Sequence, residues 1–328
     1  MLFIDNQGVT DPAQNLALEE YALRHLPPEN DYLLFYINEP SIIIGKNQNT
    51  AEEVNREYVE EKGIHVVRRL SGGGAVYHDL GNLNFSFITR DDGASFHNYR
   101  KFTEPVIRAL HELGVQAELS GRNDIQVGER KISGNAQFAT RGRMFTHGTL
   151  LFDSQMESVV SALRVNPLKI QSKGVKSVRS RVANISEFLN EPMTVEAFRA
   201  HLLRSIFAGA EPAEYKLTEE QWEGVRRLAA ERYRSWDWNY GLSPAFNLHK
   251  AARLAAGTFD VRLDVAEGLI RGAAIYGDFF GAGDAQEVEA KLIGVRYEAS
   301  AISKVLEEID LGHYFGAVTR EEFVGLLL

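Results

Sequence analysis

"RRLSGGGAVYHD", residues 68–79, places two arginines and three consecutive glycines between two segments of strand-like character. Upstream, "IHVVRRL" reads as a strand; downstream, "AVYHDLGNLNFSFIT" reads as strand again. The glycines therefore sit on a strand-to-strand connection. No G-x-x-x-x-G-K-[ST] is present, and no G-x-G-x-x-G opens a helix, so the known nucleotide loops are excluded. An ordinary hairpin tip needs one or two glycines, and each costs backbone entropy to order. Three in a row predict a backbone cradle: without Cβ atoms the N–H groups can turn toward an anion and the main chain can lie against a ligand. Arg68 and Arg69 are neighbours in a strand, so their side chains point to opposite faces and one of them serves that pocket.

Working outward, the pattern is of strands joined by short turns, with helices between. Asp11-Pro12 followed by "AQNLALEEYALRHL" predicts a capped helix. "YLLFYI" and "SIIIG" are strands around a turn at Asn38-Glu39-Pro40. "AEEVNREYVEEKG" predicts a helix ending at Gly63, and "YRKFTEPVIRALHELG" an amphipathic one ending at Gly114. "AELSGRNDIQVGERKISGNAQFA" gives strands turning at Gly128-Glu129, and "MFTHGTLLFD" another strand. A short helix is expected over 157–164, then a basic loop over 167–184 with Lys169, Lys173, Lys176, Arg179 and Arg181. Two helices follow, "TVEAFRAHLLRSIFAG" and "TEEQWEGVRRLAAERYRS", and "WDWNYGLSPAFN" reads as a closing strand and linker. After residue 246 the pattern restarts: strands "TFDVRLDV" and "LIRGAAIYGDFF" around Ala266-Glu267-Gly268, then two or three helices. The expected architecture is α+β: a mostly antiparallel sheet packed with helices over 1–246, and a small α+β domain over 247–328.

Composition bounds the function. The chain has 328 residues, 44% hydrophobic and 25% charged, as in a globular protein with a substantial core. A net charge of -9 argues against a nucleic-acid partner, although 68–69 and 169–181 look like two parts of one basic pocket. There is no cysteine, which removes disulfides, zinc thiolates and cysteine nucleophiles. No signal peptide and no run of about 18 apolar residues is seen, so no membrane span is expected and the cytoplasm is the expected compartment.

Lys131, in "NDIQVGERKISG", lies beside Ile132 in a strand and so points away from a core residue; the Ser-Gly that follows lets backbone approach a ligand. His78, Asp79 and His147, taken singly, read as structural residues of strands.

"RRLSGGGAVYHDLGNLNFSF", "NDIQVGERKISGNAQ", "HGTLLFD" and "KGVKSVRSRVAN" resemble, in order, the four signature stretches of lipoate–protein ligases. "SWDWNYGLSPAFN" is similar to the segment joining that family's large and small domains. The resemblance implies the catalytic fold shared with biotin–protein ligases and class II aminoacyl-tRNA synthetases, with a small accessory domain. It also implies an activity. Lipoate (or octanoate) and ATP give lipoyl-adenylate and pyrophosphate, and the acyl group then passes to one lysine of a lipoyl carrier domain. That carrier is an acyltransferase subunit of a dehydrogenase complex or the glycine-cleavage carrier protein.

By resemblance Lys131 is the catalytic residue, placed between the lipoate carboxyl and the α-phosphate. Arg69, rather than Arg68, joins Gly74, Ala75, Val76, Tyr77, Lys131, Ser177 and Arg179 around ATP and the adenylate. Ser71, Gly72, Gly73, Gly74, Lys131, Asn84 and His147 surround lipoate, with Val76 and Phe85 expected to line its slot. Magnesium arrives with ATP, held mainly by phosphates, and Asp124 is the candidate carboxylate partner. The chemistry is consistent: bringing a carboxylate against a phosphate requires fixed positive charge and N–H donors. Octanoyl and lipoyl transferases of the same fold rely on cysteine, which is absent here. Biotin ligases alternate Gly and Arg in their loop, unlike Ser-Gly-Gly-Gly. A non-catalytic binding protein would have no need to keep Arg69, the glycines and Lys131 together.

Overall fold

The computed structural model describes residues 1–48, 50–155, 158, 162–163, 181–240, 248–266 and 268–328. Its centre is a seven-stranded sheet in the order β1-β2-β6-β10-β9-β8-β7. The strands are β1 (Leu2–Asp5), β2 (Tyr32–Ile37), β6 (Asn82–Arg90), β7 (Ala117–Ser120), β8 (Asp124–Val127), β9 (Arg130–Thr140) and β10 (Arg143–Leu151). Only the β1–β2 pair is parallel. A second sheet, β4-β3-β5, is formed by β3 (Ser41–Ile44), β4 (His65–Arg68) and β5 (Val76–His78), and the glycine run joins its outer strands. The mixed α+β, mainly antiparallel character expected from the sequence is present.

Strand alternation divides the large sheet into two faces. Leu33, Phe35, Leu83, Phe85, Phe87, Ile132 and Leu150 pack beneath α4 (Tyr99–Glu112) and α5 (Val195–Ile206). Leu34, Tyr36, Ile88 and Phe145 face α1 (Pro12–His25), together with Ile43, Val67 and Leu70 of the second sheet. On this second face the alternating positions of β6 and β10 are Asn84, Ser86, His147 and Thr149, so the apolar layer is interrupted by polar side chains. Helix α1 starts where the sequence says it should: Asp11 Oδ1 accepts from Ala13 N at 2.8 Å and Gln14 N at 3.1 Å, ahead of Pro12.

Three expectations need correction. The helix over 51–63 is two, α2 (Thr50–Glu53) and α3 (Arg56–Lys62), because Val54 bridges Leu163 and Asn55 N bonds Ala162 O between them; Gly63 closes α3 in the left-handed region as expected. Trp236–Asn239 is a short helix, α7, not a strand, with Ser235 Oγ accepting from Trp238 N at 3.2 Å; α6 (Glu219–Leu228) precedes it. Phe85 lies on the α4 face, away from the second sheet. The helix expected over 157–164 falls mostly, and the basic loop over 167–184 largely, outside the described residues.

Residues 248–328 have their own core. Three antiparallel strands, β11 (Leu248–Leu254), β12 (Gly257–Ala266) and β13 (Leu269–Gly277), are covered by α8 (Ala285–Leu292), α9 (Ala299–Leu306), α10 (Leu311–Phe315) and α11 (Arg320–Leu327). That is one strand and at least one helix more than the sequence pattern suggests, because β11 is largely exposed and shows little alternation. This body touches the large one near the glycine run: Gly277 N donates to Asn47 O at 2.6 Å, and Arg122 Nη1 to Ala256 O at 3.2 Å. Asp284 meets Lys46 Nζ at 3.4 Å, and the Arg122 guanidinium lies 4.1 Å above the Phe280 ring.

Candidate active site

Between the α1 face of the large sheet and the glycine run lies a narrow cavity of about 140 Å³. Tyr36, Asn84, His147, Thr149 and Ala136 form its floor, Leu16 and Ile43 a side wall, Gly73 to Val76 and Phe280 its cover, and Asn123, Lys131 and Gly134 its rim. Apolar walls with a few convergent polar groups suit a slim ligand that has one polar end.

The two adjacent arginines do different work. Arg68 is buried away from the cavity, and its guanidinium donates to the carbonyls of Gly45, Lys46, Gln48, Trp238 and Asn239 and to Thr50 Oγ1. It ties the loop after β3 to α7. Arg69 lines the cavity. Its Nε donates to Ser71 Oγ at 3.0 Å, Nη1 to Ile43 O at 3.1 Å, and Nη2 to Gly72 O at 2.7 Å and Gly74 O at 2.9 Å. Burial pulls the pKa of each guanidinium down, to about 10, which still leaves both charged at neutral pH.

Because Arg69 draws in the carbonyls of Gly72 and Gly74, it sets the fold of the glycine run. The N–H groups of Gly72, Gly73, Gly74 and Ala75 make no hydrogen bond among the described residues. Four successive amides without a partner among the described residues, beside a buried cation, are the type of group that binds an anion. Gly73 has φ +93°, and a Cβ there would lie 2.6 Å from Phe280 Cζ, so no other residue fits. Four of the five N–H groups of Arg69 are used by protein oxygens, so the backbone amides supply most of the donors for an anion here.

Ser71 continues the network inward. Its Oγ lies 2.7 Å from His147 Nε2, and His147 Nδ1 lies 2.9 Å and 3.0 Å from the two carboxylate oxygens of Glu19 on α1. Lys131 stands at the rim with its Nζ 2.8 Å from Asp124 Oδ1, while its neighbour Ile132 is fully buried on the other face. The amide of Ala183 returns to Lys131 O at 3.0 Å.

Of the residues expected at the site, Arg69, Gly73, Gly74, Ala75, Val76, Asn84, Lys131 and His147 converge on the cavity. Ser71 reaches it through His147 and Arg69. Tyr77 does not line the cavity: its side chain packs with Ile42, Ile44 and Val59 on the opposite face of β5. Phe85 is on the wrong face to line the slot. Ser177 and Arg179 lie outside the described residues. Glu19, Tyr36, Asn123 and Phe280 were not foreseen as site residues. Asp124 is the rim carboxylate, and among the described residues no group of three His, Asp or Glu is arranged to hold a metal.

Comparison with known proteins identifies the family. Residues 11–207 match the family model for the lipoyl protein ligase A/B catalytic domain, and residues 243–327 match that for the bacterial lipoate protein ligase C-terminus. The chain is 65% identical over 331 residues to lipoate-protein ligase LplJ of Bacillus subtilis (strain 168), covering 100% of both. In structure it resembles P. falciparum LipL1, crystallised with lipoate, with a TM-score of 0.80, 24% identity and 94% of each chain covered. It also resembles a lipoate-protein ligase A bound with ATP, with a TM-score of 0.62 and 31% identity, covering 71% of this chain and 95% of that one. The chain belongs to the lipoate–protein ligase family.

Proposed function

We propose the following division of labour for the ATP-dependent lipoate–protein ligase reaction on this chain. Lipoate lies along the cavity with its carboxyl end at Lys131 and its acyl chain over Tyr36, Asn84 and His147. The ATP phosphates lie against the amides of Gly72 to Ala75, in the loop whose shape Arg69 holds. Lys131 stands between the carboxylate and the α-phosphate, where one ammonium stabilises the charge that builds as they join. The resulting lipoyl-adenylate then passes its acyl group to a lysine of a lipoyl carrier domain. The observation that carries this reading is the row of four amides, without partners among the described residues, at a cavity whose rim carries a lysine. The 31%-identical ligase bound with ATP and the 65%-identical lipoate-protein ligase support the choice of ligands.

Asp124, already beside Lys131, fits one contact to a magnesium ion that the triphosphate itself mainly holds. Residues 1–246 are read as the catalytic domain and 247–328 as the accessory one. Carriers of the dehydrogenase complexes or of glycine cleavage are the expected partners. Among the described residues no helix is long and apolar enough to cross a membrane. The cytoplasm is the proposed compartment, where ATP and the carrier proteins would meet the chain.

ATP–pyrophosphate exchange with lipoate, octanoate and biotin tests the reading. Exchange should follow the two straight-chain acids and not biotin. Lys131→Met keeps the side-chain length, removes the charge and should lower exchange roughly a hundredfold or more. Near wild-type exchange by that variant would remove Lys131 from the chemistry.

A further inference from the structure

Two consecutive phenylalanines of the small body serve different surroundings. Phe279 is fully buried in that body's own core, its ring centroid 4.7 Å from Phe259 and 5.0 Å from Phe315. Phe280 is buried too, yet outside that core: it lines the cavity of the large body. The backbone that carries it is firmly held. Ala282 N and Gly283 N both donate to His313 O, at 2.8 Å and 3.0 Å, and Gly281 passes so close to Tyr314 O that no Cβ fits there.

The Phe280 ring spans a gap between two elements of the large body. On one side its Cζ meets the glycine run, where a Cβ on Gly73 would lie 2.6 Å away. On the other, the Arg122 guanidinium lies 4.1 Å from the ring centroid, and Arg122 Nη1 also donates to Ala256 O of the small body at 3.2 Å. Arg122 stands on the turn between β7 and β8. Its neighbour Asn123 lines the rim and donates to Asn135 O at 2.6 Å, and the next residue, Asp124, holds Lys131 Nζ at 2.8 Å. One ring therefore reaches from the glycine run to the turn beside Lys131. Its surroundings are cations and backbone amides. A hydrocarbon ring adds neither charge nor a hydrogen-bond donor to them; it fills space that water would otherwise occupy.

We propose that Phe280 shields the acyl-adenylate from water, with Arg122 as the positioning residue that holds the ring in place; this rests on the ligase reading above. The adenylate is a mixed anhydride whose acyl carbon is open to two nucleophiles. The amine of the carrier lysine forms a C–N bond there, loses a proton to solvent, and the bond from the acyl carbon to the phosphate oxygen breaks to release AMP. Water forms a C–O bond at the same carbon, loses a proton, breaks the same bond and returns free lipoate and AMP. The second route spends an ATP and modifies nothing. Covering the mouth beside Lys131 suppresses it, as closing segments do where reactive intermediates must be kept dry.

The test starts from lipoyl-adenylate, so it does not depend on adenylate synthesis. Full-length protein in excess over lipoyl-adenylate is followed for release of lipoate without a carrier. Phe280→Ala should speed that release roughly tenfold over wild type, whereas Phe280→Leu, which keeps apolar bulk, should stay close to it. Arg122→Gln should fall between the two, and in all three variants the melting temperature should stay near wild type. When a limiting amount of carrier is added, F280A should lose a larger share of adenylate to water. Release by F280A at the wild-type rate overturns the proposal. So does F280L as leaky as F280A, since apolar bulk would then not be the cause. A rise in the KM for ATP in pyrophosphate exchange with no change in release would also overturn it, by giving the ring to the adenine. A wild-type protein that neither exchanges pyrophosphate with lipoate nor transfers the acyl group from its adenylate would remove the ligase reading itself.

Discussion

Glu289 offers a quantitative test of how the small body is built. Its carboxylate, on α8, accepts the Ile275 N–H at 2.7 Å. Burial, reinforced by nearby Asp284, raises its pKa from the usual 4.5 to about 7. Below pH 4.5 the carboxyl is protonated in both the folded and unfolded chains, and its contribution to stability is fully present. Between 4.5 and about 7 the unfolded chain has lost the proton while the folded chain keeps it. Stability therefore falls with rising pH by up to about 1.4 kcal/mol per unit, and the loss is complete above pH 7. Over that window the shift corresponds to about 3 kcal/mol. Glu289→Gln keeps an acceptor for Ile275 and cannot ionise. In urea denaturation across pH 4.5–8, the variant should gain on wild type by about 3 kcal/mol between the two ends. Taking the difference cancels every other titrating group. A difference that stays flat within half a unit of that energy scale, about 0.5 kcal/mol, would refute the buried-carboxyl assignment.

Two further outcomes follow from the site. Arg68→Met should cost about 3 kcal/mol or more of stability, because five carbonyls, three of them buried, lose a charged donor, whereas Arg69→Met should cut pyrophosphate exchange on the order of a hundredfold. Equal loss of exchange per folded molecule in the two variants would contradict the separation of their roles. A chain cut after residue 246 loses Phe280 from the cavity cover; it should fail with lipoate plus ATP yet still modify a carrier when given lipoyl-adenylate. Full activity of the truncated chain with ATP would show that the small body has another task.

What the sequence reveals of this site depends on how local the cause is. The arginine faces follow from strand alternation alone, and the cap at Asp11 and the left-handed close at Gly63 from single residues. The face of Phe85 does not. "NLNFSF" shows two faces, and an apolar ligand suggests that the phenylalanines line its slot. In fact they pack under α4, and the asparagines and serine turn to the cavity, because the larger apolar layer is needed where two helices cover the sheet. Glu19 was invisible for another reason: its partner His147 is 128 residues away, and nothing in "LALEEYAL" marks its two glutamates as buried. The same holds for Phe280, which reaches the cavity only through the docking of the small body.

The cavity wall carries no thiol, and neither does the rest of the chain. Lipoate's ring is itself a disulfide, and its reduced form a dithiol. Thiolate attack on such a ring is the ordinary route to a mixed disulfide. A thiol near the ring end would convert some bound substrate into a covalent adduct whose amount followed the redox poise of the surroundings. With histidine, tyrosine and aliphatic side chains there instead, the enzyme handles a redox-active cargo without taking part in its electron chemistry. No such adduct with the enzyme should form whether the surrounding glutathione pool is oxidised or reduced.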